Sequence, residues 1–184
     1  PGSATTGHDP DAKTLLNGTV LPAGQTAKQD IDAAVRNVFM HPNTGPFVAK
    51  QLIQRLVTGN PSNAYVARIA AVFNNNGSNV RGDLAAVVRA ILLDPEARGD
   101  AKTDPNYGKL REPVQLMTNF ARAFNVRSAA GLGLSDGNFV RGRAELNNMA
   151  QVPFVSPTVF NFYPPGYIIP GTSLNGPEFA IMNT

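Results

Sequence analysis

The sequence predicts a mainly α protein: a compact multi-helix bundle with a short N-terminal β-hairpin before it and a Pro/Gly-rich irregular C-terminal segment after it. Three observations carry that expectation. Five stretches between Thr26 and Asn125 place apolar residues at the i, i+3, i+4 spacing of one helix face. One Asn-Gly dipeptide lies between two short apolar runs. From Val126 onward Gly and Pro recur too often for any long element.

The hairpin is read from HDPDAKTLLNGTVLPAG (His8 to Gly24). Asn17-Gly18 suits a tight turn because both residues tolerate positive φ, so strands are expected around Thr14–Leu16 and Thr19–Leu21. Thr26 and Gln29 have capping-box spacing, and Ile31, Ala34, Val35, Val38 and Phe39 follow as an apolar stripe that His41-Pro42 stops. The next helix starts near Thr44, turns Val48, Leu52, Ile53 and Leu56 inward, and closes on Gly59. Asn60-Pro61 reads as an N-cap followed by Pro at the first helical position, with Tyr65, Val66, Ile69, Ala70 and Phe73 behind it. After the turn region Asn74 to Gly82, Asp83 faces the positive end of a helix carrying Leu84, Val87, Val88, Ile91 and Leu92. Asp94-Pro95-Glu96 can end that helix and begin a short further turn. Pro113 opens a last helix to about Asn125, with Leu116, Met117, Phe120, Ala121 and Phe124 as its core face.

Beyond Val126, a short helix is expected around Arg143–Met149, and Glu178 to Thr184 reads as the start of another. The rest is loop, tied down by Phe154, Val159, Phe160, Phe162, Tyr163 and Tyr167. No linker divides the chain. Residues 1–184 are therefore expected to be a single piece of a larger domain: hairpin and lead-in over 1–25, helical core over 26–125, loop-rich wrap over 126–184. Both ends read as cut points.

Composition narrows the function classes. Charged residues are 16% of the chain, well below the usual ~25%, and the net charge is only +3. That balance argues against a nucleic-acid partner, which needs a clustered basic face. Arg122, Arg127, Arg141 and Arg143 are the nearest approach to one. Cysteine is absent, so there is no disulfide, thiolate metal site or Cys nucleophile. No apolar run approaches the ~20 residues of a membrane span. Pro1 to Gly7 carries no signal pattern.

Few motifs carry chemistry. His8-Asp9 and His41 are the only histidine features, 33 residues apart and without metal-ligand spacing, so neither a metal nor a cofactor is expected. Each could be a general base oriented by a carboxylate, or a ligand completed elsewhere; the plainer reading of His41 is a helix-end residue bonding free carbonyls. Arg111 and Glu112 precede Pro113: Arg111 could fork onto a carboxylate or phosphate beside a helix N-terminus, or the pair could simply stabilise that terminus. Gly131-Leu132-Gly133 lacks the strand and the Gly-Lys-Ser/Thr of a phosphate loop, and Ser135, Ser156 and Ser173 lack a nucleophile elbow. The run from Val159 to Tyr167, with Phe160, Asn161 and Tyr163, is either a stacking platform for sugars or a partner chain, or an anchor holding the tail on the helices.

The runs HPNTGPFVAKQLIQRLV (His41 to Val57), RGDLAAVVRAILLDPEAR (Arg81 to Arg98), GKLREPVQLMTNFARAF (Gly108 to Phe124) and SPTVFNFYPPGY (Ser156 to Tyr167), in that order, closely resemble the bacterial family known as domain of unknown function 1800. The segment from His8 to Gly24 is also similar to that family's upstream segment. The resemblance implies a protein several hundred residues long, of which this is the C-terminal half without its last part, exported to the periplasm or beyond. It implies no reaction. His41, Pro42, Asn43, Arg111, Glu112, Pro113, Phe160 and Asn161 match its recurrent motifs.

The leading expectation is a helical scaffold or binding module. Its partner would be the remainder of its own parent protein or another protein; a glycan is the weaker alternative, and nucleic acid and a membrane span are not expected. Binding candidates are His8, Asp9, His41, Arg111, Glu112, Phe160, Asn161 and Tyr163. The rival is part of an enzyme whose active site is shared with the missing N-terminal half, drawing on His8, Asp9, His41, Arg111 and Glu112. A fragment should also leave bare an apolar face that its parent covers.

Overall fold

The computed structural model describes residues 7–126, 150–151 and 155–181. Among them the chain is mainly α, with one two-stranded antiparallel sheet. Strand β1 (Lys13–Thr14) pairs with β2 (Val20–Leu21), Lys13 opposite Leu21 and Thr14 opposite Val20. The turn puts Asn17 at φ 58° and Gly18 at φ 70°, and Thr19 N–H donates to the Leu16 carbonyl at 3.3 Å. Two successive left-handed residues match the twist of a hairpin, which is why Asn-Gly sits there. The strands are shorter than expected because Leu16–Gly18 curls into a 3₁₀ turn.

Helix α1 (Ala27–Met40) opens on the expected capping box: the Thr26 hydroxyl accepts from Gln29 N–H, and the Gln29 side chain accepts from Thr26 N–H. Its apolar stripe meets the core only at one end, where Phe39 packs on Phe73 at 6.0 Å between ring centres. Ile31, Val35 and Val38 are 62%, 64% and 53% exposed, and Asp30 is the buried residue of the helix.

The core lies between α2 (Thr44–Leu56), α3 (Asn63–Asn74) and α4 (Leu84–Leu93), which pack on one another. Ala49, Ile53, Tyr65, Ile69, Ala70, Phe73, Val87 and Ile91 form one buried cluster, with Val48, Leu52 and Val66 partly buried against it. Leu56, Leu84 and Leu92, expected inside, remain exposed. The Tyr65 hydroxyl donates to the Ile91 carbonyl at 2.6 Å, and burial holds its pKa well above the ordinary value, so it remains a donor.

Helix ends are fixed by polar clamps. Asp83 caps α4 by accepting from Ala86 N–H at 3.0 Å. Asp94 ends α4 and caps α5 (Pro95–Arg98), as expected, accepting from Glu96 N–H at 2.8 Å. Arg68 forks onto Asp94 at 2.8 and 2.7 Å; that hydrogen bond outweighs burial and holds the Asp94 carboxyl below its ordinary value. Arg81 donates to the carbonyls of Phe39 (3.0 Å) and His41 (3.2 Å) and to Asn74, joining α1 to α3. Gly82, at φ 78°, brings the backbone so close to Phe39 that a Cβ would lie 2.7 Å from its ring.

Two expected boundaries are corrected. The N-cap of α3 is Ser62, not Asn60: Glu96 accepts from both the Ser62 N–H (3.0 Å) and its hydroxyl (2.5 Å), fixing it where its oxygen receives Tyr65 N–H. Helix α2 closes at Val57 rather than Gly59. Gly59 is small for packing, since a Cβ would stand 3.1 Å from Glu178 Oε1 and 3.3 Å from the Asn175 carbonyl.

Helix α6 (Pro113–Ala123) starts as expected on Pro113, but its expected core face is not buried: Met117 and Ala121 are half-buried. No residue of it is buried, and Leu116, Phe120 and the adjoining Phe124 are 64%, 57% and 69% exposed. The described part of the C-terminal segment has isolated bridges (Thr158 with Asn161, Ile168 with Asn175) and a 3₁₀ turn over Pro177–Ile181 where a final helix was expected. It is tied to the helices: Gln54 Nε2 donates to the Pro165 carbonyl at 2.8 Å, and Leu110 N–H donates to Glu178 at 2.9 Å. The expected helix around Arg143–Met149, the Gly131-Leu132-Gly133 run, Ser135, Phe154, Arg127 and Arg141 lie outside the described residues. No described helix is long and apolar enough to cross a membrane.

Candidate functional site

Three distant parts of the chain meet at Glu112. Arg55 comes from the last turn of α2, Glu112 from the residue before α6, and Tyr163 from the irregular C-terminal segment. Arg55 Nη1 lies 3.1 Å from Glu112 Oε1, and its guanidinium stacks 4.3 Å from the centre of the Tyr163 ring while also donating to the Tyr163 hydroxyl. Gln151 Nε2 donates to Glu112 Oε2 at 2.8 Å, and Gln151 Oε1 accepts from Val114 N–H at 2.9 Å, so one amide fastens both Glu112 and the first turn of α6. Lys109 Nζ donates to the Arg55 carbonyl at 3.1 Å and stands 3.9 Å from Glu112 Oε1.

The electrostatics commit this cluster to holding position. Burial pushes the Glu112 carboxyl up, but hydrogen bonds from Tyr163 and Gln151, together with the Arg55 charge, outweigh it and keep the pKa below the usual value. Burial drives the Tyr163 phenol far above its ordinary value, and the Glu112 charge adds to that. Glu112 is thus an ionised acceptor and Tyr163 a protonated donor at neutral pH. Neither is poised to exchange a proton there, and the network pins the C-terminal segment onto α2 and α6.

Beside this cluster opens a cleft of about 510 Å³ between the C-terminal end of α2 and one face of α6. It is lined by Arg55, Leu56, Val57, Lys109, Arg111, Gln115, Thr118, Asn119 and Arg122. A second cavity, about 340 Å³, lies between the Tyr107–Leu110 loop and the Ile169–Phe179 region, with Asn60, Asn175 and Glu178 in its wall.

The remaining candidates are dispersed. His8 Nε2 sits 2.8 Å from Asp30 Oδ2, which Lys13 Nζ also meets at 2.9 Å. The Lys13 hydrogen bond, with help from His8, holds the Asp30 carboxyl below its ordinary value against the effect of burial. Asp9 is exposed, its carboxylate accepting from Asp11 N–H at 2.9 Å in a local turn. His41 Nδ1 accepts from Asn43 N–H at 3.1 Å, so the ring caps the following backbone instead of donating to the carbonyls of α1; Arg81 does the latter. Phe160 pairs with Phe47 of α2 at 6.5 Å between ring centres. Asn161, at φ 73°, closes a turn by donating from its backbone to the Thr158 carbonyl at 3.0 Å. Of the eight candidates, Glu112 and Tyr163 come together, Arg111 lines the cleft beside them, and His8, Asp9, His41, Phe160 and Asn161 make their contacts elsewhere. Arg55 and Gln151 were missed in the sequence: Arg55 is one polar position on an amphipathic helix, and Gln151 lies in a stretch with no periodic pattern.

Among the described residues, no group of three or more His, Asp or Glu side chains is placed to hold a metal ion. Comparison with curated proteins and with solved structures finds no match to this chain. A family model described as "Protein of unknown function (DUF1800)" matches residues 3–181.

Proposed function

The chain belongs to the DUF1800 family of proteins of unknown function, and from that premise we propose that it is a helical scaffold and binding module whose partner is polypeptide. The observation that carries this reading is the pairing of a closed core with two bare apolar lines. Helices α2, α3 and α4 bury much of their apolar faces in one cluster, whereas Ile31, Val35 and Val38 on α1, and Leu116, Phe120 and Phe124 on α6 and its end, stay in contact with solvent. Exposed apolar lines on regular helices are the surfaces that helices and loops of another polypeptide cover. The polypeptide that best fits the family resemblance is the remainder of the parent protein; a separate protein is the other source. The same resemblance supports an exported bacterial protein. The rival reading of a shared active site draws no support from His8, His41 and Glu112, which share no contact.

The test is site-specific photo-crosslinking in the full-length parent protein, with a photoreactive residue at Val35 or Phe120 and, as control, at the exposed polar position Asp104. Crosslinks from Val35 and Phe120 to residues of the parent outside this chain, or to a second protein, are the expected result. Labelling at both positions no greater than at Asp104 would count against the reading.

A further inference from the structure

We propose that the cleft between the end of α2 and the polar face of α6 binds a compact oxoanion of the phosphate or sulfate class. This inference is independent of the apolar lines, which lie on α1 and on another side of α6. Gln115, Thr118, Asn119 and Arg122 recur at helical spacing on one face of α6, and Arg111 precedes that helix; all five line the cleft. Arg55 and Lys109 complete the wall. Four cations therefore converge on one concavity, and among the described residues no carboxylate lines it.

Glu112 adjoins the cleft, but its charge is spent on Arg55 and Lys109. Arg111 and Arg122 make no ion pair with a described residue. Like charges gathered in a concave space raise its potential and draw in anions. In a chain with a net charge of only +3, a local excess of this kind is a feature of the site and not of the whole surface.

The chemistry of the wall selects the ligand. A guanidinium presents a planar fork that matches two oxygens of a phosphate or sulfate. Arg55 is held by Tyr163 and Glu112, and Lys109 by the Arg55 carbonyl, so half of the positive wall is in place before any ligand arrives. The Gln115 and Asn119 amides add neutral donors. The volume of about 510 Å³ accommodates a small molecule, within the ~300–1,000 Å³ usual for such sites. Among the described residues these four cations gather at one cleft, which favours a small anion over a nucleic-acid strand.

Isothermal titration calorimetry of the chain with pyrophosphate, inorganic phosphate and sulfate at low ionic strength tests this. The expected result is one site for pyrophosphate that weakens at least tenfold in Arg111→Gln/Arg122→Gln and changes less than twofold in Arg36→Gln/Arg89→Gln, which removes the same charge from exposed positions outside the cleft. Glycerol phosphate and glucose sulfate then separate the two sources of the shared chemistry; competition by either supports the site. If the cleft variant fails to fold, phenylglyoxal labelling of the unaltered chain replaces it, with pyrophosphate expected to slow modification of Arg111 and Arg122 but not of Arg36. Absence of binding by all three anions, equal loss in both double variants, uniform labelling, or binding of a single-stranded oligonucleotide without pyrophosphate would overturn the proposal.

Discussion

Replacing Glu112 with Gln changes one oxygen to an amide nitrogen and asks whether the junction of α2, α6 and the C-terminal segment is held by charge. Arg55 donates to one carboxylate oxygen and Gln151 to the other. A glutamine offers one acceptor and one donor, so at least one neighbour is left facing a donor. Gln151 cannot rotate its amide to compensate, because its oxygen already accepts from Val114 N–H at 2.9 Å. The loss is one charge-assisted hydrogen bond, worth ~1.5–3 kcal/mol, together with the partial desolvation of an unpaired Arg55. The Arg55 side chain is 28% exposed, so water recovers part of the second contribution. The expected net destabilisation is about 2–3 kcal/mol.

Urea unfolding followed by circular dichroism should show this as a midpoint lower by about 1 M with an unchanged slope. The effect also has a pH signature. Folding lowers the Glu112 pKa, so the unfolded chain binds more protons at this residue. The stabilisation is complete above the unfolded value of about 4.3 and disappears as pH falls through the lower folded value. The gap between wild type and Glu112→Gln should therefore narrow on acidification below that point. A midpoint within about 0.2 M of wild type at pH 7, or a gap that widens on acidification, would refute the reasoning.

Three further outcomes are expected. Ile53→Ala opens a hole at a fully buried position between α2, α3 and α4; it should cost about 3–4 kcal/mol and lower Tm by about 10 °C, measured by calorimetry. Gly82→Ala meets both a φ of 78° and the Phe39 ring at 2.7 Å, and should lose about 1–3 kcal/mol in the same denaturation assay, more than Gly77→Ala, where φ is 93° and the space is open. Val35→Lys/Val38→Lys alters exposed positions of α1; it should shift stability by less than about 0.5 kcal/mol while clearly reducing the fluorescence of a bound hydrophobic dye.

Much of the fold was legible because helix starts and turns are written in local chemistry. Thr26 with Gln29, Asp83, Asp94-Pro95 and Asn17-Gly18 each act on backbone within a few residues, and each does so as expected. The errors arise where distant residues decide. Asn60 and Ser62 both suit an N-cap, and Glu96, 34 residues further on, selects Ser62. Periodicity marks an apolar face but not what the face meets: most of the α1 stripe and of the face expected to be core on α6 stays exposed, while Phe39 packs on Phe73 of the core. The junction at Glu112 brings Arg55 from 57 residues away, and Arg55 in turn reaches Tyr163 over 108 residues. No spacing in the sequence signals such a meeting, and Glu112 and Tyr163 were singled out for other reasons.

Hydrogen–deuterium exchange, compared between this chain alone and the same residues within the longer parent protein proposed above, bears most directly on the scaffold reading. The slowest amides should lie in α2, α3 and α4 in both forms, whereas α1 and α6 should exchange faster in the isolated chain and become protected in the parent. Equal protection of α1 and α6 in the two forms would contradict a scaffold whose bare helices are covered by other polypeptide.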